Sequence, residues 1–230
     1  MSDRQISPSL LAVLQSAARL QQIVPDAVLV GGSVAALYAG HRDSDDHDHV
    51  VANLADRFDA VLDAVESEDG WVTNRLVPGK LILGQIGDIE TGVRQMIRTV
   101  PLETATVTLP GGHGLTVPTD AEALRIKAWL VVRRNQARDY LDVAALSDTM
   151  GIAAAAQCLS HIDTFYRDQH GSGDGVASQV YRQLSDPRPR DSATTRQLER
   201  YKNLEPRWHQ WRSVVDVCRA VADAMLERPS

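Results

Sequence analysis

Cysteine is nearly missing from this chain. Cys158 and Cys218 are its two cysteines in 230 residues, each inside an apolar stretch and without any paired spacing. That pattern excludes a disulfide framework or a cysteine-rich zinc module, and fits small buried hydrophobes in a reducing compartment. Aromatic residues are scarce at 5%, with tryptophan at positions 71, 129, 208 and 211. Long hydrophobic runs are also lacking: the most apolar segment, Ala27–Gly40, is too short and too rich in glycine to span a bilayer. Met1–Pro8 carries Asp3 and Arg4 and has no apolar core of a secretion signal. The expectation is a soluble, cytoplasmic protein with no membrane partner. Positive charge is in deficit, with a net charge of −6, which argues against a general nucleic-acid coat protein.

What is present is an ordinary globular composition, 43% hydrophobic, in a length that suits a catalytic domain with a helical companion. Charge is unevenly spread. Residues 1–110 hold 8 Lys/Arg against 15 Asp/Glu, whereas residues 111–230 hold 16 against 15. Such an asymmetry suits an enzyme that places a cation in one lobe and grips an anionic substrate with the other.

Apolar periodicity predicts a helix over Pro8–Ile23, a short buried strand at Ala27–Val30 ending at Gly31-Gly32, and a helix over Ser33–Ala39. Asp46–Val51 alternates acid and histidine before two valines and predicts a strand with Asp46, Asp48 and Val50 on one face. A helix over Leu54–Val65 and strands at Leu81–Ile86 and Ile89–Ile97, turned by Gly87-Asp88, follow. Thr104–Leu109 and Gly114–Val117 form another strand pair. Beyond Thr119 the chain becomes helical, with helices expected to about Arg134, over Asp139–Thr149, Ile152–Tyr166, Ala193–Tyr201 and Trp208–Glu227, and a flexible Gly171–Gly175. The fold class is therefore α/β (α+β): a mixed sheet with flanking helices over residues 1–118, then an all-helical half over 119–230.

The chemistry sits where the first strand ends. Gly31 and Gly32 let the backbone turn tightly and let an anion approach without a Cβ in the way. The helix starting at Ser33 points its free N–H groups at that anion, and the Ser33 hydroxyl can bond a phosphate oxygen or a metal-bound water. Asp46 and Asp48, two apart on a strand, converge on one locus about 6–7 Å apart at Cα. Carboxylates that close repel, and a divalent cation resolves the conflict. Mg²⁺ combines one or two carboxylates with substrate phosphates, so one or two Mg²⁺ ions and a nucleoside triphosphate are implied. Two other readings stand beside this one. Asp43–Asp48 could be a solvated acidic loop, or His41, His47 and His49 could join the aspartates in a transition-metal site of a phosphoesterase.

Gly-Gly-Ser, twelve intervening residues, then Asp46-x-Asp48 resembles the signature of the polymerase-β-like nucleotidyltransferase superfamily. The fuller string from Gly31 through His41-Arg42 and Ser44 to Asp48 is similar to the AbiE-type toxin nucleotidyltransferases within it. Those also carry a helical lysine, matched by Lys127 in Arg-Ile-Lys-Ala-Trp-Leu, and an Arg-Asp-x-x-Asp segment, matched by Arg138-Asp139-Tyr140-Leu141-Asp142. The resemblance covers residues 27–150. It implies that Asp46 and Asp48 bind metal, that Lys127 contacts the triphosphate with Gly31, Gly32 and Ser33, and that Asp142 holds or orients the site. A third carboxylate is usual, and Glu90 is assigned to it over Asp88, which suits turn chemistry. The family further implies an RNA acceptor at the tRNA 3′ end and a cognate antitoxin. From the residues alone, Lys127 lies on an apolar helix face and could simply snorkel, and Asp142 could pair with Arg138 at i−4. Arg182–Lys202 holds six Lys/Arg against three acids, near Tyr201, Trp208 and Trp211. These residues could grip RNA and stack a base, or the tryptophans could belong to the core. A non-catalytic interaction protein on the same fold is a further alternative.

Overall fold

The computed structural model describes residues 6–169 and 173–227. Gly171 and Ser172 of the expected flexible segment, and Met1–Gln5, lie outside the described residues. The chain packs as two compact units, one of residues up to Leu37 with Asp43–Thr119, the other of Tyr38–Arg42 with residues from Asp120 onward.

The first unit opens with α1 (Pro8–Ile23), whose start is set by proline at its first position and by Ser7, which accepts a hydrogen bond from the Leu10 N–H at 3.1 Å. Its inner stripe of Leu10, Val13, Leu14, Ala17, Ala18 and Leu20 is buried. Then come β1 (Val28–Val30), α2 (Gly32–Ala39), β2 (Asp46–Val51), a 3₁₀ turn over Leu54–Arg57, and α3 (Phe58–Glu66). Three antiparallel neighbours follow, β3 (Trp71–Val77), β4 (Leu81–Ile86) and β5 (Ile89–Gln95). The sheet runs β1-β2-β5-β4-β3 and is mixed, because β2 and β5 are parallel while every other pair is antiparallel. Leu20, Val24, Ala27, Val51, Leu54, Phe58, Val61, Val65, Ile82 and Val93 form its core. A separate ribbon of β6 (Thr104–Thr108) and β7 (Gly114–Pro118) is tied to α1 by Gln21. The Gln21 amide donates to the Thr116 carbonyl and accepts from the Thr116 N–H, both at 2.8 Å.

The second unit holds α4 (Asp120–Arg134), α5 (Ala137–Met150), α6 (Ile152–Ser160), α7 (Val176–Ser185) and α8 (Trp211–Leu226). Among the described residues no single helix is long and apolar enough to cross a membrane; α5 and the stretch after it pass that test only jointly, across a 119° bend.

Several element boundaries differ from expectation. The helix expected over Ala193–Tyr201 is instead two 3₁₀ turns, Thr194–Arg196 and Leu198–Arg200, broken where Gln197 leaves helical geometry (φ −141°, ψ 30°). Leu198 is its one buried residue among Thr194–Arg200, too little apolar surface to hold a longer helix. The helix expected over Ile152–Tyr166 stops at Ser160 and continues as a 3₁₀ turn. Both α7 and β3 were unexpected, although Val176, Val180 and Leu184 lie on one helical stripe and are all fully buried.

Candidate active site

Gly31 marks the turn out of β1. Its φ of +89° lies in the region that only glycine enters freely, and its neighbour across the turn is Asp48. A Cβ on Gly31 would stand 3.7 Å from the Asp48 Cβ and 3.8 Å from Oδ2, so the glycine turn and the acidic strand are in direct apposition. The ladder makes this so: β1 and β2 pair with Val30 opposite Asp48. Ser33 is fully buried and its hydroxyl donates to the Val30 carbonyl at 3.4 Å. In this state Ser33 braces the turn from beneath.

The strand β2 divides its residues as its alternation demands. Asp46 is exposed and Asp48 partly so, while His47, His49 and Val51 on the other face are at most 1% exposed. Asp46 Oδ1 accepts a hydrogen bond from Ser44 Oγ at 2.8 Å. Asp48 Oδ1 lies 3.2 Å from Arg94 Nε. The parallel register sets Glu90 opposite Asp46 and Gly92 opposite Asp48, so Glu90 shares the acids' face of the sheet and is exposed. Asp88 sits in the β4–β5 turn.

The histidines take no part in that face. His47 Nε2 lies 3.0 Å from Ser16 Oγ and its Nδ1 lies 2.9 Å from Thr91 Oγ1. Burial pushes His47 down to about 4, against the partly offsetting charge of Asp46. Burial, with His47 beside it, holds His49 well below its ordinary value. Both rings are therefore neutral packing groups at pH 7, meeting edge to face at 5.2 Å between centroids. Among the described residues no three His, Cys, Asp or Glu side chains gather to hold an ion. His47 and His49 of the phosphoesterase reading thus face away from Asp46 and Asp48. Asp46, Asp48 and Glu90 are the carboxylates that this face could offer a divalent cation.

Lys127 and Asp142 belong to the helical unit, where they meet each other. Asp142 on α5 is fully buried, and four bonds converge on its carboxylate. Oδ1 accepts from His41 Nε2 at 2.8 Å and from Arg42 Nε at 3.0 Å; Oδ2 accepts from Arg42 Nη2 at 3.1 Å and from Lys127 Nζ at 2.7 Å. Burial alone would raise the Asp142 pKa, but Arg42, then Lys127, then the His41 hydrogen bond outweigh it and hold the carboxyl well below its usual range. Because the carboxylate can only accept, His41 carries its proton on Nε2; burial lowers the His41 pKa and keeps the ring neutral. Lys127 therefore pairs and does not snorkel. The i−4 partner expected for Asp142, Arg138, instead hydrogen-bonds Gln136 Oε1 at 3.1 Å, and Asp139 is gripped by Arg134 at 2.6 and 3.1 Å. His41 and Arg42 lie about a hundred residues from Asp142 in sequence, and their roles were not visible there.

No family model matches the chain. Curated relatives include the heme uptake protein MmpL11 of Mycobacterium tuberculosis H37Rv, 32% identical over 94% of this chain and 22% of that protein. A mycolic acid-containing lipids exporter, MmpL11 of Mycolicibacterium smegmatis, is 38% identical over 56% of this chain and 13% of that protein. The chain spans about a fifth of the length of the first relatives it matches. Among solved structures, a putative nucleotidyltransferase from H. pylori superposes with a TM-score of 0.49 at 14% identity, covering 97% of this chain and all of that one. MenT4, a nucleotidyltransferase toxin from M. tuberculosis H37Rv, does so with a TM-score of 0.46 at 16% identity, covering 94% and 83%.

The basic segment of the helical unit is mostly surface. Arg188, Arg190, Arg196 and Arg200 are exposed, and Arg188 pairs with Asp186 at 2.7 Å. Trp208 is 2% exposed and Trp211 packs edge to face on Tyr140, with 5.9 Å between centroids. Trp208 is thus core, as the blander sequence reading has it. Tyr201 is half-buried with the Arg42 guanidinium 5.6 Å from its ring centre.

Proposed function

We propose that the chain is a Mg²⁺-dependent nucleotidyltransferase that moves a nucleoside monophosphate from an NTP to an acceptor hydroxyl, with release of pyrophosphate. The observation that carries this reading is the apposition of the Gly31 turn to Asp48, with Asp46 and Glu90 on the same face of β2 and β5. A glycine turn at a helix start, set against a strand that carries carboxylates, suits a triphosphate bound with a divalent cation. Asp46 and Asp48 would hold Mg²⁺, which when bound supplies charge neutralisation at the attacking and leaving oxygens. Backbone N–H groups at Gly32 and Ser33 would orient the triphosphate, and most of the rate would come from positioning and electrostatics. Glu90 is offered as the auxiliary carboxylate beside Asp46. Within the helical unit, Asp142 is assigned to fixing Lys127.

For the acceptor we favour RNA, at the tRNA 3′ end, in a toxin restrained by a cognate antitoxin. The exposed arginines at 188, 190 and 196 support an RNA-facing surface. Incubation with each α-labelled NTP, Mg²⁺ and total RNA or protein tests the reading, since label should appear on RNA with one nucleotide preferred. Label on protein would reject the RNA acceptor, and no label on either would reject the transferase. A tRNA gel shift should be salt-sensitive and lost in the Arg188/Arg190/Arg196→Ala variant.

A further inference from the structure

Asp48 owes its position to the strand beside it. Gly92 faces Asp48 across the parallel ladder, and a Cβ there would come within 2.8 Å of both Asp48 Oδ1 and Leu83 Cδ2. Real Cβ atoms do not approach so closely. With Leu83 crowding the other side, the Asp48 carboxylate would have to swing out of its place. Two residues further along the same face, Arg94 stands opposite Val50 and reaches back over the notch that Gly92 leaves, to 3.2 Å from Asp48 Oδ1. Arg94 and Asp48 are 44% and 33% exposed, so water competes for this pair. An exposed pair of this kind is worth roughly 0.2–1 kcal/mol, which is small enough to be exchanged for another partner.

We propose that β5 supplies two positioning residues to the metal-binding face: Gly92 keeps open the seat of the Asp48 carboxylate, and Arg94 is its resident counter-ion. When a divalent cation takes Asp48, Arg94 gives way and turns to a substrate phosphate. This rests on the nucleotidyltransferase reading of the site. The chemistry is that of exchange between like partners. A guanidinium and a divalent cation repel at one carboxylate oxygen, whereas a guanidinium and a phosphate form strong charge-assisted bonds. Arg94 therefore opposes the cation when it comes alone and favours it when it comes with phosphates.

Mn²⁺ titration of the full chain, followed by electron paramagnetic resonance with and without tripolyphosphate, tests this. Arg94→Gln should bind Mn²⁺ about two- to fivefold more tightly than the parent without phosphate, from release of the competing pair. With tripolyphosphate the order should reverse, Arg94→Gln binding more weakly, while Arg94→Lys stays near the parent in both. Gly92→Ala should bind Mn²⁺ more weakly in either condition. A purely structural arginine would not produce the reversal of sign. Unchanged Mn²⁺ affinity in Arg94→Gln, or a change of the same sign in both conditions, would overturn the Arg94 role while Asp46-dependent Mn²⁺ binding left the metal site standing. Mn²⁺ binding that is absent, or that survives in Asp46→Ala, would remove the metal site and this inference together.

Discussion

Replacing Asp142 by asparagine keeps the shape of the side chain and removes its charge. Arg42 and Lys127, 8% and 4% exposed, would then share a buried neutral amide. Breaking a buried ion pair by removing one partner costs about 3–5 kcal/mol, because the remaining charge has neither water nor a counter-ion. Here one change removes the carboxylate that both Lys127 and Arg42 bind, so a loss within that range is expected. Breaking the exposed Arg182–Asp174 pair, 2.6 Å long but 57% and 61% exposed, should cost less than about 1 kcal/mol and serves as the control. The assay is urea unfolding at pH 7 of wild type, Asp142→Asn, Lys127→Met and the double variant. The double variant should lose less than the two single losses added together, since each removes the other's unpaired charge. The pH dependence has a fixed sign. A folded carboxyl held below its unfolded value gives stability that is present above about pH 4 and lost as pH falls through the folded pKa. The gap between wild type and Asp142→Asn should therefore be full at pH 7 and shrink in stronger acid. A loss under about 1 kcal/mol at pH 7, or a gap that widens below pH 4, would refute the reasoning.

Acid should destabilise the sheet unit earlier, through histidine. His47 stays neutral in the folded protein to about pH 4 while its unfolded counterpart protonates near 6.5, so its contribution is intact above 6.5 and is lost on the way down. Going from pH 7 to pH 5 should cost about 2 kcal/mol from His47 alone, and His47→Gln should flatten the stability profile by that amount; an unflattened profile would reject the assignment. Gly31→Ala should cost about 1–2 kcal/mol in thermal or urea unfolding through its positive φ. Crowding contributes little there, the nearest atom to the new Cβ being 3.7 Å away, so an unchanged melting temperature would mean the turn can relax.

The acidic face was legible because its signal is local. Alternation in Asp46–Val51 fixes which side chains share a face, and the burial of His47 and His49 against the exposure of Asp46 follows from it. Placing Glu90 needed one further fact, the parallel register of β2 with β5, for which sequence order offers no rule. Gly92 and Arg94 were missed for the same reason, since a glycine inside a strand signals close approach without naming what approaches. The partners of Asp142 were hidden by distance along the chain, and the plausible local partner, Arg138, was the wrong one. Among the helices, the one expected over Ala193–Tyr201 has a single buried leucine, too little to sustain it, while α7 has a clean apolar stripe.

The central claim, that Asp46 and Asp48 hold the metal of a nucleotidyl transfer, is tested most directly by one comparison. Wild type and Asp46→Ala are incubated with α-labelled NTP, Mg²⁺ and RNA, and incorporated label and released pyrophosphate are followed together. Wild type should transfer label and release pyrophosphate in equal amounts. Asp46→Ala should lose at least about a hundredfold in rate while unfolding at the same urea concentration as wild type. Undiminished transfer by Asp46→Ala, or release of inorganic phosphate in place of pyrophosphate, would contradict it.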